Sequence, residues 1–402
     1  MASNQPRIPG RHFLQIPGPA PVPDRILRAM DKAVLDHRGP EFQQLGLRVL
    51  SGIKTIFKTK SHVFLFPASG TGAWEAALIN AFSPGDKVLM FETGHFATLW
   101  KNMAGKLGLK PEFIESDWRS AADPAAIEER LRADKNHEIK AVCVVHNETS
   151  TGVTSNISDI RKAIDAARHP ALFLVDSVSG LASVDFRMDE WGVDVTVSGS
   201  QKGLMLPPGI GLTAVSEKAM KAAKESKSHK SFFAWEDMVG PNKIGFFPYT
   251  PATNLLHGLA EAVDMLHEEG LDRVFARHIR HGEATRRAVR AWGLEILCKD
   301  PKAYSPVLTG ILMPQGHDAD EFRKVALEHF DISLGAGLGK IAGKVFRIGH
   351  LGDTNDLTIL GALAGVEMSL GIMGVPYKKG GVQAAMDYLG STAKTPLQSA
   401  AE

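Results

Sequence analysis

Short apolar runs and amphipathic stretches alternate along the first 270 residues of the chain. The apolar runs have the length of strands and lie at residues 63–66, 87–91, 141–145, 171–176, 194–197 and 211–215. Apolar residues at helical spacing follow several of them, for example at residues 73–78 and 157–168. Strands that alternate with helices predict an α/β fold with a mostly parallel, doubly wound sheet. Sheets of this kind bind their ligands beyond the carboxyl ends of the strands.

The pattern changes on both sides of this region. The first 20 residues hold few periodic apolar positions and end in a proline-rich stretch, which predicts an extended arm. A helical pattern begins at residue 255, with Gly270 as its expected break. Strand-like runs then lie at residues 306–313 and 344–348, and helical runs at 320–329 and 357–370. We therefore expect an arm at residues 1–20, a large domain at 21–269 and a smaller C-terminal α+β domain at 270–402.

Two polar residues come at the ends of successive apolar runs. Asp176 ends the run at 171–176, and Lys202 follows the run at 194–197 within a stretch of small residues. Both side chains are therefore expected at the carboxyl edge of the sheet. A lysine can form an imine with a carbonyl cofactor, and a carboxylate can keep the ring nitrogen of pyridoxal phosphate protonated. The pair predicts a site for that cofactor, while a lysine at an exposed turn is the alternative interpretation of Lys202.

A turn of small residues joins the first apolar run to the following helical stretch. It contains Ser69, Gly70 and Thr71, directly before the predicted helix start. Backbone N–H groups and the helix dipole at such a turn favour a bound phosphate. The turn matches neither the Walker spacing nor the dinucleotide-binding fingerprint. An ordinary strand–helix turn with a Ser or Thr cap is the alternative.

Arg347 interrupts an apolar run between Phe346 and Ile348. An arginine in this position needs a carboxylate partner, which can belong to the protein or to a substrate. A structural salt bridge and a clamp on a substrate carboxylate are both open, because a bidentate guanidinium suits either role.

Composition narrows the classes of protein that fit. The chain has 402 residues, of which 44% are hydrophobic and 23% charged, as in a globular protein with a sizeable core. A net charge of +1 argues against nucleic acid and anionic membranes as partners. Two cysteines, Cys143 and Cys298, exclude a disulfide framework and a Cys-rich metal site, and suit a reducing cytosol. His146 lacks chelating neighbours, so we expect a hydrogen-bonded structural histidine and no metal.

From about residue 13 to about residue 388, the chain resembles the class V, fold-type I aminotransferases, and among them the serine–glyoxylate aminotransferases. The matching motifs occur in order, at residues 16–19 (Ile-Pro-Gly-Pro), 66–72 (Phe-Pro-Ala-Ser-Gly-Thr-Gly), 146–153 (His-Asn-Glu-Thr-Ser-Thr-Gly-Val), 175–179 (Val-Asp-Ser-Val-Ser), 185–194, 198–202 (Ser-Gly-Ser-Gln-Lys), 249–251 (Tyr-Thr-Pro) and 344–352. The resemblance implies a fold-type I transferase dependent on pyridoxal 5′-phosphate.

The resemblance also implies a role for each matching residue. Lys202 matches the Schiff-base lysine and Asp176 the partner of the pyridine nitrogen. The remaining cofactor contacts are Val178 and Phe96 on the two ring faces, Ser69, Gly70, Thr71 and Gln201 at the phosphate, and Thr149 at the ring hydroxyl. Thr250 matches a residue that reaches the phosphate of a neighbouring subunit. Arg347 and the Gly18 backbone match the binding site of the substrate carboxylate.

One departure from the family concerns the phosphate. Relatives often have a tyrosine just before residue 248, where this chain has Phe246 and Phe247. Either that hydroxyl contact is lost or Tyr249 supplies it.

The resemblance implies transamination of glyoxylate to glycine, with L-serine as the expected donor and hydroxypyruvate as the second product. Alanine or aspartate as donor, and a non-catalytic protein that binds pyridoxal phosphate, are alternatives. A cysteine desulfurase would need a reactive thiol on a mobile loop, which neither Cys143 nor Cys298 matches. We expect a cytoplasmic homodimer or higher homo-oligomer that acts on amino acids and 2-oxo acids.

Overall fold

The computed structural model describes residues 9–393 and has an α/β architecture. Its strands are β1 (Phe13–Gln15), β2 (His62–Ala68), β3 (Lys87–Phe91), β4 (Lys110–Ile114), β5 (Ile139–Val145), β6 (Asn147–Glu148), β7 (Val153–Thr154), β8 (Leu172–Asp176), β9 (Val195–Gly199), β10 (Gly209–Val215), β11 (Glu295–Ile296), β12 (Leu308–Leu312), β13 (Ile332–Ala336) and β14 (Val345–Gly349).

The α-helices are α1 (Asp24–Met30), α2 (Pro40–Phe57), α3 (Gly70–Ala81), α4 (His95–Lys106), α5 (Pro124–Ala133), α6 (Ile157–Ala166), α7 (Glu217–Glu225), α8 (Trp235–Lys243), α9 (Thr253–Glu269), α10 (Leu271–Trp292), α11 (Ala319–Phe330), α12 (Asp356–Ile372) and α13 (Gly381–Ala393). Short 3₁₀ turns lie at Pro301–Ala303 and Gly339–Ile341.

Seven strands form the large sheet, in the order β2-β10-β9-β8-β5-β3-β4. All neighbouring pairs are parallel except those of β10, which runs antiparallel to both β2 and β9. Every residue of β8 and β9 is buried, because helices cover both faces of the sheet. Helices α2, α5, α6 and α9 pack on one face, and α3, α4, α7 and α8 on the other. The predicted doubly wound, mostly parallel sheet is confirmed.

Local sequence signals explain where several helices begin and end. Asp123 caps α5 by accepting a hydrogen bond from the Ala125 backbone N–H at 2.9 Å, and Pro124 occupies the first helical position. Gly270 separates α9 from α10 with a φ of +85°, a backbone conformation that favours glycine. The predicted break at that glycine is therefore confirmed.

A second, five-stranded sheet has the order β1-β13-β14-β12-β11. Trp292, Phe322, Phe346 and Leu363 pack together beside it in a core of their own. Its edge strand β1 comes from the predicted arm and runs parallel to β13. Part of the arm is thus an edge strand. Its three residues are too few to show the alternation of apolar and polar positions that would predict a strand. The domain division at residue 270 stays a prediction.

No α-helix in the part of the chain that the structure describes is long and apolar enough to cross a membrane.

Candidate active site

A cavity of about 270 Å³ opens beyond the carboxyl ends of β5, β8 and β9. Its lining contains most of the residues that the sequence singled out: Gly18, Ser69, Gly70, Thr71, Phe96, Thr149, Asp176, Val178, Gln201 and Lys202. Trp74, Val145, Asn147, Pro19 and Pro208 complete the lining. The sheet therefore brings these residues together at the edge where such folds bind ligands. Their individual contacts with a ligand stay predictions.

Asp176, the last residue of β8, is buried at the floor of the cavity. Its Oδ1 accepts a hydrogen bond from the Val178 backbone N–H at 2.7 Å, and its Oδ2 accepts one from Trp74 Nε1 at 3.0 Å. Burial raises the pKa of this carboxyl to about 7, against the effect of these two donors. The carboxylate would gain from a cationic hydrogen-bond donor, such as a protonated ring nitrogen.

Lys202 follows β9 and is only 7% exposed, so the exposed-turn alternative is wrong. Its Nζ donates a hydrogen bond to the Pro17 carbonyl at 2.6 Å. Burial, together with the positive charge of Arg347, lowers the pKa of this amine to about 7. A neutral amine is therefore accessible near pH 7, as a nucleophile or a base requires.

The start of α3 faces the same cavity. Ser69 is the N-cap of this helix, yet its side chain does not bond to the first turn. A Cβ built on Gly70 would lie 2.7 Å from Val178 Cγ2, so a larger residue would crowd the cavity wall. The buried Oε1 of Gln201 has no hydrogen-bond partner among the described residues. Free backbone donors and an unsatisfied amide at one place suit a phosphate group with its own hydrogen-bonding atoms.

The N-terminal arm covers Lys202. The Ala20 backbone N–H donates to the Gln201 carbonyl at 2.9 Å, which holds the arm against the end of β9. Gly18 has a φ of +117°, and a Cβ at this position would overlap the Lys202 side chain. Only glycine therefore lets the arm approach the lysine this closely.

Arg347 lies on β14, in the second sheet, and is 7% exposed. Its Nε donates to the Ala336 carbonyl at 2.7 Å, and its Nη1 to the Thr149 carbonyl at 2.6 Å. The guanidinium forms no ion pair with a carboxylate among residues 9–393, so the structural salt bridge is not observed. Burial lowers its pKa to about 10, while the charge of Glu148 opposes this shift. The guanidinium keeps donors for an external carboxylate.

Two residues at the site escaped the sequence analysis. Trp74 lies one turn into α3, and its indole N–H binds Asp176. Glu148 is fully buried, and its carboxylate accepts hydrogen bonds from the backbone N–H groups of Phe96 and Ala97, at 3.4 and 3.1 Å. It thereby holds the start of α4, the helix that carries Phe96 into the cavity. The signal in the sequence was the acidic residue itself within the motif at residues 146–153. An acid that becomes buried there needs hydrogen-bond donors as partners.

Tyr249 and Thr250 do not line the cavity of their own chain. The Tyr249 hydroxyl donates to the Leu65 carbonyl, and burial raises its pKa. Its hydroxyl is therefore already bonded within its own chain. Thr250 is exposed, as a residue that contacts a neighbouring subunit would be. Contacts from these two residues to a cofactor stay predictions.

The remaining candidates are inert. His146 is buried between Phe186 and Trp191, and burial lowers its pKa to about 4, so the ring is neutral. Its Nδ1 has no hydrogen-bond partner in the described chain, contrary to the expected hydrogen-bonded histidine. Burial raises the pKa of Cys298 to about 11 and raises that of Cys143 further. Neither thiol is activated as a desulfurase would require.

These features fit the aldehyde, the ring nitrogen and the phosphate of pyridoxal 5′-phosphate. Lys202 would hold the aldehyde, Asp176 the ring nitrogen, and the start of α3 with Gln201 the phosphate. Val178 and Phe96 lie in the cavity wall and would offer apolar surfaces to the ring. The raised pKa of Asp176 supports this fit, because a cation is what the buried carboxylate lacks.

Comparison with known proteins agrees with this assignment. The family Aminotransferase class-V matches residues 12–347. Serine–glyoxylate aminotransferase from Methylorubrum extorquens is 53% identical over 390 residues, which cover 95% of this chain and 97% of the relative. L-aspartate–glyoxylate aminotransferase from Paracoccus denitrificans is 45% identical over 388 residues, with coverages of 96% and 98%.

A solved structure supports the same relationship. Pyridoxamine–pyruvate aminotransferase from Mesorhizobium loti superimposes with a TM-score of 0.90 at 26% identity, covering 96% of this chain and 99% of the other. The likeness therefore extends over nearly the whole chain and includes both sheets. This chain belongs to the class V aminotransferase family and has its fold-type I architecture, with pyridoxal 5′-phosphate as cofactor.

Proposed function

We propose that this aminotransferase transfers the amino group of L-serine to glyoxylate, giving hydroxypyruvate and glycine. The observation that carries the proposal is the 53% identity to serine–glyoxylate aminotransferase over nearly the whole chain. The surroundings of the cavity support an uncharged donor side chain, because Lys202 is the only cationic residue in its described lining and Arg347, outside the lining, is assigned to the α-carboxylate. The second carboxylate of aspartate would have no cation there to pair with.

The chain's own residues have distinct tasks in this reaction. Pyridoxal phosphate supplies an electron sink that makes the Cα–H bond of a bound amino acid acidic. Lys202 Nζ, neutral in part near pH 7, takes the proton from Cα. Asp176 keeps a negative charge beside the ring nitrogen and so favours its protonated form. The arm packs against Lys202 and so covers one side of the reacting atoms.

Arg347 binds the α-carboxylate in this proposal. The Thr149 and Ala336 carbonyls fix the plane of its guanidinium before any substrate arrives. Serine and glyoxylate both carry a carboxylate next to the reacting carbon, so one arginine serves both half-reactions.

Aspartate is the second candidate donor, because the relative from Paracoccus denitrificans is named for it and is 45% identical. Alanine is the third, since its small side chain also fits the cavity.

A panel of donors with glyoxylate as acceptor decides among these possibilities. We expect the highest kcat/KM with L-serine, measured as hydroxypyruvate formed, and lower values with L-alanine and L-aspartate, measured as pyruvate and oxaloacetate. A higher value with L-aspartate would overturn the choice of donor. Absence of turnover with every donor, in a protein that holds its cofactor, would indicate a non-catalytic binding protein.

We also propose a homodimer or higher homo-oligomer in the cytoplasm. The exposed Thr250 supports the first part, because its expected target is the phosphate of a neighbouring subunit. Both cysteines are free, which suits a reducing compartment. Light scattering tests the assembly, and fractionation of the source cells tests the compartment.

A further inference from the structure

The carboxylate of Asp176 is held at both oxygens. Oδ1 accepts from the backbone N–H of Val178, two residues further along the chain, so this bond belongs to the local turn. Oδ2 accepts from the indole Nε1 of Trp74, which lies 102 residues away on α3. The tryptophan is therefore the only side chain in the described structure that donates to this carboxylate.

Trp74 itself has little freedom to move. It is 3% exposed and stacks on Trp100, with ring centroids 6.1 Å apart and an interplanar angle of 15°. Its ring also forms part of the cavity wall and packs at a tilt against Phe96. An indole fixed on two sides presents its N–H in one direction, so the carboxylate that accepts from it is fixed as well.

We propose that Trp74 is a positioning residue: its indole N–H fixes the rotation of the Asp176 carboxylate and favours its ionised form, so that a carboxylate rather than a carboxylic acid meets the ring nitrogen of the cofactor. A hydrogen bond to a charged oxygen is stronger than one to its neutral form. Losing it therefore makes Asp176 bind a proton more readily. The inference rests on pyridoxal phosphate as the cofactor and is independent of the amino donor.

Other groups near Asp176 also act on its proton. Burial raises its pKa, and the charge of Glu148 adds to this effect, while the charge of Lys202 opposes it. The ring of His146, whose backbone N–H donates to the Asp176 carbonyl, is neutral at ordinary pH because burial lowers its pKa to about 4. None of these groups changes when the indole N–H is removed.

The test measures the dissociation constant of pyridoxamine 5′-phosphate from the full-length protein between about pH 5 and about pH 9, which is about two pH units on each side of neutral. This probe carries an amine in place of the aldehyde, so Lys202 cannot link to it. In the wild type we expect binding to weaken as the pH falls through the Asp176 pKa of about 7. In Trp74→Phe the midpoint of this weakening should rise by about one pH unit, the equivalent of one charge-assisted hydrogen bond.

Trp100→Phe is the matched control. Trp100 is a buried tryptophan of the same stack, but its Nε1 has no hydrogen-bond partner among the described residues. This variant loses a similar ring area but keeps an aromatic ring against Trp74, so the indole N–H stays in place and the midpoint should equal that of the wild type. Equal shifts in both variants, or an unchanged midpoint in Trp74→Phe, would overturn the proposal, since a purely packing role weakens binding equally at every pH.

A second substitution covers the case in which Trp74→Phe does not fold. Incorporation of 3-benzothienylalanine at position 74 keeps the bicyclic shape and replaces the N–H with sulfur. We expect the same upward shift of the midpoint, and an unchanged midpoint contradicts the role of the N–H. Because the measurement needs no turnover, its result is separate from that of the donor panel.

Discussion

Burial brings the two ionisable groups at the centre of the site close together in pKa. Burial lowers the pKa of Lys202 to about 7 and raises the pKa of Asp176 to about 7. The pKa values of a lysine amine and an aspartate carboxyl normally differ by more than about six units. For each residue, the cost of burying its charge outweighs the stabilisation that the charge receives from its partners in the protein alone. Such a pair is typical of a site whose charges are completed by a ligand.

Replacing Lys202 with alanine should abolish both transamination and the visible absorbance that comes from the link between cofactor and lysine. Absorption spectra and the serine–glyoxylate assay measure the two effects. Lys221→Ala, on the exposed face of α7, is the control and should behave as wild type. Normal turnover in Lys202→Ala would show that another group takes the Cα proton.

Arg347→Lys should lower kcat/KM for serine and for glyoxylate by at least about tenfold each. The substitution keeps the charge but loses the planar fork that binds two carboxylate oxygens. Stopped-flow measurement of each half-reaction separates the two effects, and Arg287→Lys, an exposed residue of α10, is the control. Loss of cofactor with unchanged substrate kinetics would instead make Arg347 a structural residue.

Functional residues could be predicted from the sequence where they lie at the ends of buried strands. Asp176 and Lys202 are found at the carboxyl edge because the buried runs before them determine where the chain emerges. Trp74 was not predictable in this way, since an aromatic residue in an apolar helix looks like ordinary core. Its partner lies 102 residues away, and only tertiary structure shows the hydrogen bond.

At the scale of elements, helix α4 begins without a cap of its own. Its N-cap is Gly94, and the buried carboxylate of Glu148 accepts hydrogen bonds from the first turn instead. A helix N-terminus is stabilised by a negative charge, so the acid acts on the helix as a whole as well as on two N–H groups.

Glu148→Gln should therefore cost about 1–2 kcal/mol of unfolding free energy and weaken cofactor binding through Phe96. The glutamine amide places an NH₂ donor where a carboxylate oxygen accepts from a backbone N–H group of α4, so one of these N–H groups loses its acceptor. Urea unfolding and cofactor titration measure these effects. Glu236→Gln, in the exposed first turn of α8, should change stability by less than about 0.5 kcal/mol. Equal losses in both variants would contradict a specific role of Glu148.

Helix α10 contributes two buried histidines to a neutral cluster with His350. His278 Nδ1 donates to the Val274 carbonyl, His281 Nε2 to Asp356, and His350 Nδ1 to the Pro306 carbonyl. Burial lowers the pKa of His278 to about 3 and of His281 to about 4, and lowers that of His350 well below its ordinary value. All three rings are therefore uncharged in the folded protein at neutral pH.

Acid should destabilise the protein through this cluster. Below pH 6.5 the unfolded chain binds protons at these histidines and the folded chain does not, so stability falls as the pH drops from about 6.5 to about 4. Each ring contributes about 2 kcal/mol of this loss at pH 5. In His350→Asn the difference in stability between pH 7 and pH 5 should shrink by that amount.

Urea unfolding at the two pH values measures the difference in unfolding free energy. The contributions of the other titrating groups are the same in wild type and variant and therefore cancel. The exposed His229 is the control, because its replacement should leave the difference unchanged. An equal loss on acidification in wild type and His350→Asn would exclude the cluster as the cause.

Six of the seven strands of the large sheet were predicted nearly to their ends, since buried strands leave strong local patterns, but the edge strand β4, which is only partly buried, was missed. The short strand β1 was not predicted either, because its pairing with β13 is not encoded in its three residues. Which residues of β1 pair with which residues of β13 depends on the packing of the whole second sheet. A single stretch of sequence does not contain that information.

The whole molecule places the site where three parts of the chain meet. The large sheet supplies Asp176 and Lys202, and the arm covers the lysine. The second sheet carries Arg347, which lies outside the cavity lining and is proposed to reach the substrate. The resemblance adds a fourth part, Thr250 from a neighbouring subunit.

Dilution to the monomer should accordingly release cofactor and activity together, because the phosphate then loses the contact expected from Thr250. Light scattering, absorbance and turnover at the same protein concentrations measure the three quantities. Thr250→Ala should show weaker cofactor binding while remaining a dimer. A fully active monomer would contradict the shared site.

The arm also fixes when the site becomes complete during synthesis. His12 and Asp331, which hydrogen-bond beside the pairing of β1 with β13, are 319 residues apart. A ribosome adding roughly 5–20 residues per second needs on the order of half a minute to make this stretch. Until then β1 has no partner strand, and the arm is held beside the lysine only by its hydrogen bonds to Gln201 and Lys202. The arm of a nascent chain is therefore fixed less firmly over the lysine until the second sheet has emerged.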